Sequence, residues 1–334
     1  MHRFAWLEPP TVADATRVLA REGEGARAIA GGVDLLGELK ERIATPASLV
    51  NLKAIPGLDA VRFDKDGTLR IGALATLTAL VENDRLRAAF PAVAEAAESV
   101  GSPEIRNVGT VGGNLCQRPR CWYYRSLLHR CLKKGGDVCF TTTGESRYHA
   151  ILGGGPSYIV HPSDLAPAFI ACDARVTIAG PQGEKDLPLE QFFVLPAVRL
   201  DHETILKTGE IVTGVMLPAS AAGRKSVYLK FKEKESFDFA LAAVALSVRM
   251  TGRTCAEARL VLGGVAPVPW RAGGAEKLLT GAAIDAAIAG RAADAALEGA
   301  SPMAHNGYKI PLAKALVRRA LLGLAGVAPD LGPV

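Results

Sequence analysis

At 334 residues, with 49% hydrophobic and 22% charged side chains, the chain has the balance of a folded protein large enough for two or three cored domains. No apolar run approaches the ~18–20 residues that span a bilayer, and the start MHRFAWLEPPTVADATRV carries no apolar stretch or small-residue cleavage site. The expectation is a cytoplasmic protein without membrane insertion, co-export with a partner subunit being compatible with the same sequence. A net charge of +5 without aromatic interleaving along most of the chain gives no nucleic-acid surface.

Thr11 is placed to cap a helix running to about Arg21, followed by a short strand in ARAIAGG, a helix from about Asp34 and a buried strand in LVNLK. From Thr68 the strand LRIGALA leads into a helical stretch, and PAVAEAAESVG is a helix ended by Gly101. Residues 101–115, GSPEIRNVGTVGGNL, read as a Gly-rich loop, and 116–150 as a polar, cationic, cysteine-bearing insertion. Strand signals resume at YIV and ARVTIAG. The small residues of LPASAAGRKS mark a boundary near 218–225. Beyond it lie three strand-like runs, SVYLKFK, LAAVALSVRM and ARLVLGGVA, and then Ala-rich helices. The expected class is α+β, with an N-terminal domain over 1–222 (subdomains 1–56 and 57–222) and a smaller α+β domain over 223–334.

Four of the six cysteines, Cys116, Cys121, Cys131 and Cys139, fall within 24 residues. Disulfide frameworks belong to small secreted chains, so a metal centre is the better reading. Cys172 and Cys255 stand alone beside apolar runs and read as packing residues. Among the clustered cysteines lie Arg118, Arg120, Arg125, Arg130, Lys133 and Lys134, with no acid until Asp137. A solvated basic face would explain such a run, but its placement among the cysteines suits the negative charge of metal-bound thiolates.

Two glycine-rich turns stand out. One is Ala28, Ile29, Ala30, Gly31, Gly32, Val33, Asp34 and Leu35, at a strand-to-helix junction; the other is Thr110, Val111, Gly112, Gly113 and Asn114. Paired glycines admit close backbone approach, and successive N–H groups form an anion-binding concavity suited to a diphosphate. Tight turns that bind nothing are the structural alternative. The chain has no G-x-G-x-x-G after a strand, no G-x-x-x-x-G-K-[ST], no H-E-x-x-H and no C-x-x-C.

The blocks IAGGVDLL, IGALATLTAL, RNVGTVGGNLC, HPSDLAPAFIACDA and GEIVTGVMLP, in this order, resemble the flavin subunits of xanthine dehydrogenase, carbon monoxide dehydrogenase and related molybdenum hydroxylases. The resemblance spans essentially the whole chain. It implies a two-subdomain FAD-binding fold of the molybdenum hydroxylase flavoprotein type and a smaller C-terminal domain. By matching blocks, Ala28 to Leu35 and Thr110 to Asn114 would cradle the FAD diphosphate and ribityl chain. Asp164 would accept hydrogen bonds from FAD, Val212 would present backbone near the flavin, and Lys230 would lie close to the isoalloxazine ring. Val33 departs from the family pattern, which has Thr or Ser there, and so removes a hydroxyl donor.

The residues from CQRPRC to RYHA intervene where most of the family runs straight into the acidic block. That arrangement is similar to the flavin subunits of 4-hydroxybenzoyl-CoA reductase and periplasmic aldehyde oxidoreductase, whose insertion houses a 4Fe–4S cluster. The spacing is Cys116-x4-Cys121-x9-Cys131-x7-Cys139-x9-His149. Four cysteines are the simplest ligand set. Relatives without the insertion often also have cysteine after G-G-N-L, so Cys116 can belong to the flavin loop. The resemblance to the benzoyl-CoA reductase type, whose fourth ligand follows the third inserted cysteine by about nine residues, implies Cys121, Cys131, Cys139 and His149. Structural zinc is the competing metal, though its thiolates usually come in pairs two to four residues apart. Trp122, Tyr123 and Tyr124 would wall such a centre from water, or simply pack.

The resemblance thus implies an FAD and 4Fe–4S electron-transfer subunit of a molybdenum hydroxylase-type oxidoreductase complex whose substrates are aldehydes or aromatic and heteroaromatic compounds. Its partners would be a molybdopterin-binding large subunit, a 2Fe–2S small subunit and an external electron acceptor. The alternatives are a stand-alone flavin oxidase with a zinc-braced loop, and a nucleotide-binding regulatory protein.

Overall fold

The structure is a computed structural model, and it describes residues 1–235 and 237–327. Three sheets organise it. The first is parallel, with Ser48–Asn51 between Ala5–Leu7 and Ala26–Ile29. The helix Val12–Glu22 covers it, started by the Thr11 hydroxyl accepting from the Asp14 N–H at 3.1 Å. Parallel strands need crossovers, and this helix is one of them.

The second sheet has five antiparallel strands in the order Val61–Phe63, Leu69–Gly72, Ile211–Leu217, Arg175–Gly180 and Gly183–Pro188. Its central strands belong to a core that includes the fully buried Leu69, Val176, Ile178, Phe169 and Phe192. The helix Leu165–Ala171, every residue of it buried, runs through the same core and ends at the buried Cys172.

The third sheet, Trp270–Arg271, Thr254–Gly263, Ala242–Thr251 and Lys225–Phe231, is also antiparallel. The helices Gly273–Leu279, Ala286–Ala296 and Lys309–Ala325 bury their apolar side chains in a second core with it, Cys255 included. The expected α+β class holds. Among the described residues, no helix is long and apolar enough to cross a membrane.

Two local expectations need correction. Residues 101–115 are not a loop but two short helices, Pro103–Val108 and Val111–Leu115. Pro103 occupies the first turn, where its missing N–H costs nothing, and Thr110 caps the second helix. Glycine's poor helix propensity is overridden there by packing. YIV, in turn, is no strand: the Tyr158 carbonyl accepts one hydrogen bond, from the Ala150 N–H at 2.9 Å, which is too little for a ladder.

Candidate functional site

The first glycine-rich turn leaves the end of the strand Ala26–Ile29. Gly32 there has φ +74°, a left-handed conformation that favours glycine. At Gly31 a Cβ would stand 1.9 Å from the Val108 carbonyl oxygen, so only glycine admits this contact with the end of the helix Pro103–Val108. In the second turn the Gly112 N–H donates to the Ala73 carbonyl at 2.7 Å, and a Cβ on Gly112 would lie 2.9 Å from Ala73 Cβ. The glycines therefore serve first to let three backbone segments meet.

Both turns face one cleft of about 690 Å³, within the ~300–1,000 Å³ usual for a cofactor site. Every residue from Ala28 to Leu35 lines it, together with Thr110, Gly112, Gly113, Asn114, Asp164 and Val212. Val111 does not: its side chain is wholly buried in the core. The Asn114 amide oxygen accepts from the Ser163 hydroxyl at 2.6 Å, which ties the second turn to the block containing Asp164.

Asp164 is held at the bottom of this arrangement by two side chains of one strand. The Tyr228 hydroxyl donates to Oδ1 at 2.6 Å and the Lys230 ammonium to Oδ2 at 2.8 Å. Lys230 also donates to the Ser99 carbonyl at 3.1 Å and does not itself line the cleft. Burial, then the Asp164 charge, pushes the Tyr228 phenol well above its ordinary pKa.

The insertion forms one wall of the same cleft. The Asp34 carboxylate accepts from the Arg118 N–H at 2.6 Å, from Arg125 Nη2 at 2.7 Å and from Arg120 Nη1. Burial opposes its charge, but the Arg120 and Arg125 cations outweigh it and hold the carboxyl below its ordinary pKa. Behind this contact the Tyr124 hydroxyl donates to Glu38 at 2.6 Å, while Arg118 and Lys133 meet the buried Glu203 at 2.8 and 2.7 Å.

Within the insertion, Cys121, Cys131 and Cys139 line one small pocket with Tyr123, Tyr124 and Phe140. Cys116 lines the large cleft instead. Burial pushes the Cys116 thiol up to about 12 and the Cys121 thiol up to about 11. His149 is 2% exposed, and neither of its ring nitrogens has a hydrogen-bond partner. Its ring centroid is 6.3 Å from that of Tyr123, but it is not part of the cysteine pocket wall. Among the described residues no three His, Cys, Asp or Glu side chains converge closely enough to grip an ion as they stand. Three soft donors on one pocket and an orphaned imidazole nearby nevertheless suit a thiolate-bound metal in chemical type.

Sequence reasoning missed two parts of the cleft. One is the stretch holding Arg199, His202, Thr204 and Lys207; the other is Phe237 and Phe239, from the loop after Lys225–Phe231. Phe237 has φ +63°, a conformation rare for an aromatic residue. The only signal for these was the aromatic pair in ESFDFA, 44% or more exposed. Arg118, Arg120 and Arg125, neighbours of the cysteines in sequence, line the cleft in the structure.

Comparison with known proteins agrees with this geometry. The family model described as the FAD binding domain in molybdopterin dehydrogenase matches residues 2–220, and that of the CO dehydrogenase flavoprotein C-terminal domain matches 226–324. The chain is 35% identical over 317 residues to the aldehyde oxidoreductase FAD-binding subunit PaoB of Escherichia coli (strain K12), covering 94% of this chain and 96% of that one. It is 29% identical over 324 residues to the carbon monoxide dehydrogenase medium chain of Hydrogenophaga pseudoflava, covering 96% of each. Among solved structures, a Cu,Mo-CO dehydrogenase in cyanide-inactivated form superposes with a TM-score of 0.77 at 28% identity, covering 97% of this chain and 98% of that one. The two glycine turns facing one cleft, and two family models that together span the chain, place it among the FAD-binding flavoprotein subunits of the molybdenum-dependent oxidoreductases.

Proposed function

We propose that this subunit passes electrons between FAD, bound in the large cleft, and a 4Fe–4S cluster carried by the insertion. One observation supports this above others: Cys121, Cys131 and Cys139 share a pocket in the segment whose arginines grip Asp34 of the first glycine turn. The cluster segment and the flavin segment are thereby in direct contact. Cys121, Cys131, Cys139 and His149 would be the ligands; Cys116, which lines the flavin cleft, stands apart. FAD, once bound, converts two-electron chemistry into single-electron steps. The chain's residues supply its seat: backbone of the two glycine turns and of Val212, and the Asp164 carboxylate with Lys230 behind it.

Substrate chemistry, on aldehydes or on aromatic and heteroaromatic compounds, would belong to a molybdopterin-binding large subunit. A 2Fe–2S small subunit would complete the path and an external acceptor would take the electrons. The same reading divides the chain into an FAD-binding domain over 1–222 and a C-terminal domain over 223–334.

The test is anaerobic purification with whatever subunits accompany the chain, followed by a visible spectrum and iron, zinc and flavin analysis. About four irons and one FAD per chain, both bleached by dithionite, are expected. Zinc in place of iron would overturn the cluster; flavin that dithionite does not bleach would overturn the relay.

A further inference from the structure

We propose that the cysteine-rich insertion supplies the counter-charge for the FAD diphosphate, through Arg120 and Arg125 braced on Asp34. This rests on FAD occupying the large cleft and goes beyond it by naming residues that neither glycine turn contains. Both arginines line the cleft beside the first glycine turn. Asp34 carries one negative charge and takes one nitrogen from each guanidinium, Arg120 Nη1 and Arg125 Nη2. One positive charge is therefore left over at the turn. Arg118 and Lys133 pair instead with a second buried carboxylate, Glu203.

Each arginine is aimed by further contacts. Arg125 Nε donates to the Pro119 carbonyl at 2.8 Å, while its Nη1 makes no hydrogen bond among the described residues. The Arg120 guanidinium lies 5.1 Å from the centroid of Phe239, and its Nη2 donates to Gln117 at 3.3 Å. A braced, half-buried guanidinium with an unused nitrogen is suited to a phosphate oxygen, since little entropy remains to be lost on binding.

The full chain, stripped of flavin, is titrated with FAD and with riboflavin, which has the ring but no phosphate, and bound flavin is followed by fluorescence. Arg120→Gln with Arg125→Gln is expected to weaken FAD by about tenfold or more while changing riboflavin less than about twofold. Arg120→Lys, which keeps the charge, recovers most of the loss caused by Arg120→Gln. Equal weakening of FAD and riboflavin, unchanged FAD affinity, or an Arg120→Lys variant as poor as Arg120→Gln would each overturn the proposal. Should the double variant unfold, the unaltered chain decides: FAD affinity must fall with added salt more steeply than riboflavin affinity. Equal salt dependence would overturn the proposal as well. An unaltered chain that binds neither flavin would instead remove the flavin reading on which the proposal stands.

Discussion

The Lys230 ammonium meets the Asp164 carboxylate at 2.8 Å, with their side chains only 3% and 6% exposed. Asp164 opens the helix Leu165–Ala171 in the core of the five-stranded sheet, and Lys230 belongs to an edge strand of the C-terminal sheet. The pair therefore joins two parts of the molecule immediately behind the cleft.

Removing one member leaves the other charge buried without its counter-ion. Lys230→Met should lower unfolding stability by about 3–5 kcal/mol, as read from urea denaturation of the flavin-free chain. Adding Asp164→Asn to Lys230→Met removes the stranded charge and should recover part of that loss. A double variant less stable than Lys230→Met alone would show that Asp164 is stabilised without the ammonium.

Gly31 offers a prediction with an internal control. A Cβ at Gly31 would collide with the Val108 carbonyl, whereas one at Gly25 would meet nothing within 4 Å. Gly31→Ala should therefore cost about 1–3 kcal/mol through a forced backbone shift and reduce flavin content after purification. Gly25→Ala should leave flavin content unchanged. Normal flavin content and melting temperature in Gly31→Ala would mean that the turn yields without consequence.

The Asp34 clamp also makes a pH prediction. Its pKa is lowered in the folded chain from an ordinary 3.8, because the Arg120 and Arg125 cations outweigh burial. A depressed folded pKa contributes stability that is present above the unfolded value and is lost as pH falls through the folded one. The unaltered chain should thus be more stable than Asp34→Asn at pH 7, and the gap should close only below about pH 4. Urea denaturation of both at a series of pH values measures this; a gap that closes nearer pH 6 would assign the effect to another group.

Much of the cleft was legible because its parts are local. A strand ending in Ala30-Gly31-Gly32 and a cap at Thr110 are short-range signals, and both turns line the cleft. What was not legible depends on long-range pairing. Arg118, Arg120 and Arg125 reach Asp34 across more than 80 residues, so their sequence neighbours, the cysteines, gave a misleading context. The pairing of Lys230 with Asp164, 66 residues apart, likewise has no local signal. Residues 101–115 were misjudged for a related reason: packing of Gly112 on Ala73 stabilises a helix that propensity alone disfavours.

The ligand set proposed for the insertion makes the last prediction. Cys121, Cys131 and Cys139 share a pocket, and Cys116 faces the flavin cleft. Serine at any of the first three should therefore remove about four irons per chain, whereas Cys116→Ser should retain them. FAD should remain bound in the iron-free variants, because the insertion is also held to the body without metal, by Glu203 with Arg118 and Lys133 and by Tyr124 on Glu38. His149 has two unpartnered ring nitrogens, so His149→Ala should lose iron as the cysteine variants do. His149→Cys should keep the cluster and lower its reduction potential, since a thiolate carries more negative charge than an imidazole. Iron and flavin analysis of each variant, with a dye-linked redox titration of His149→Cys, checks the set. Loss of iron in Cys116→Ser with retention in His149→Ala would replace the histidine by Cys116 and require the insertion to turn that thiol away from the flavin cleft.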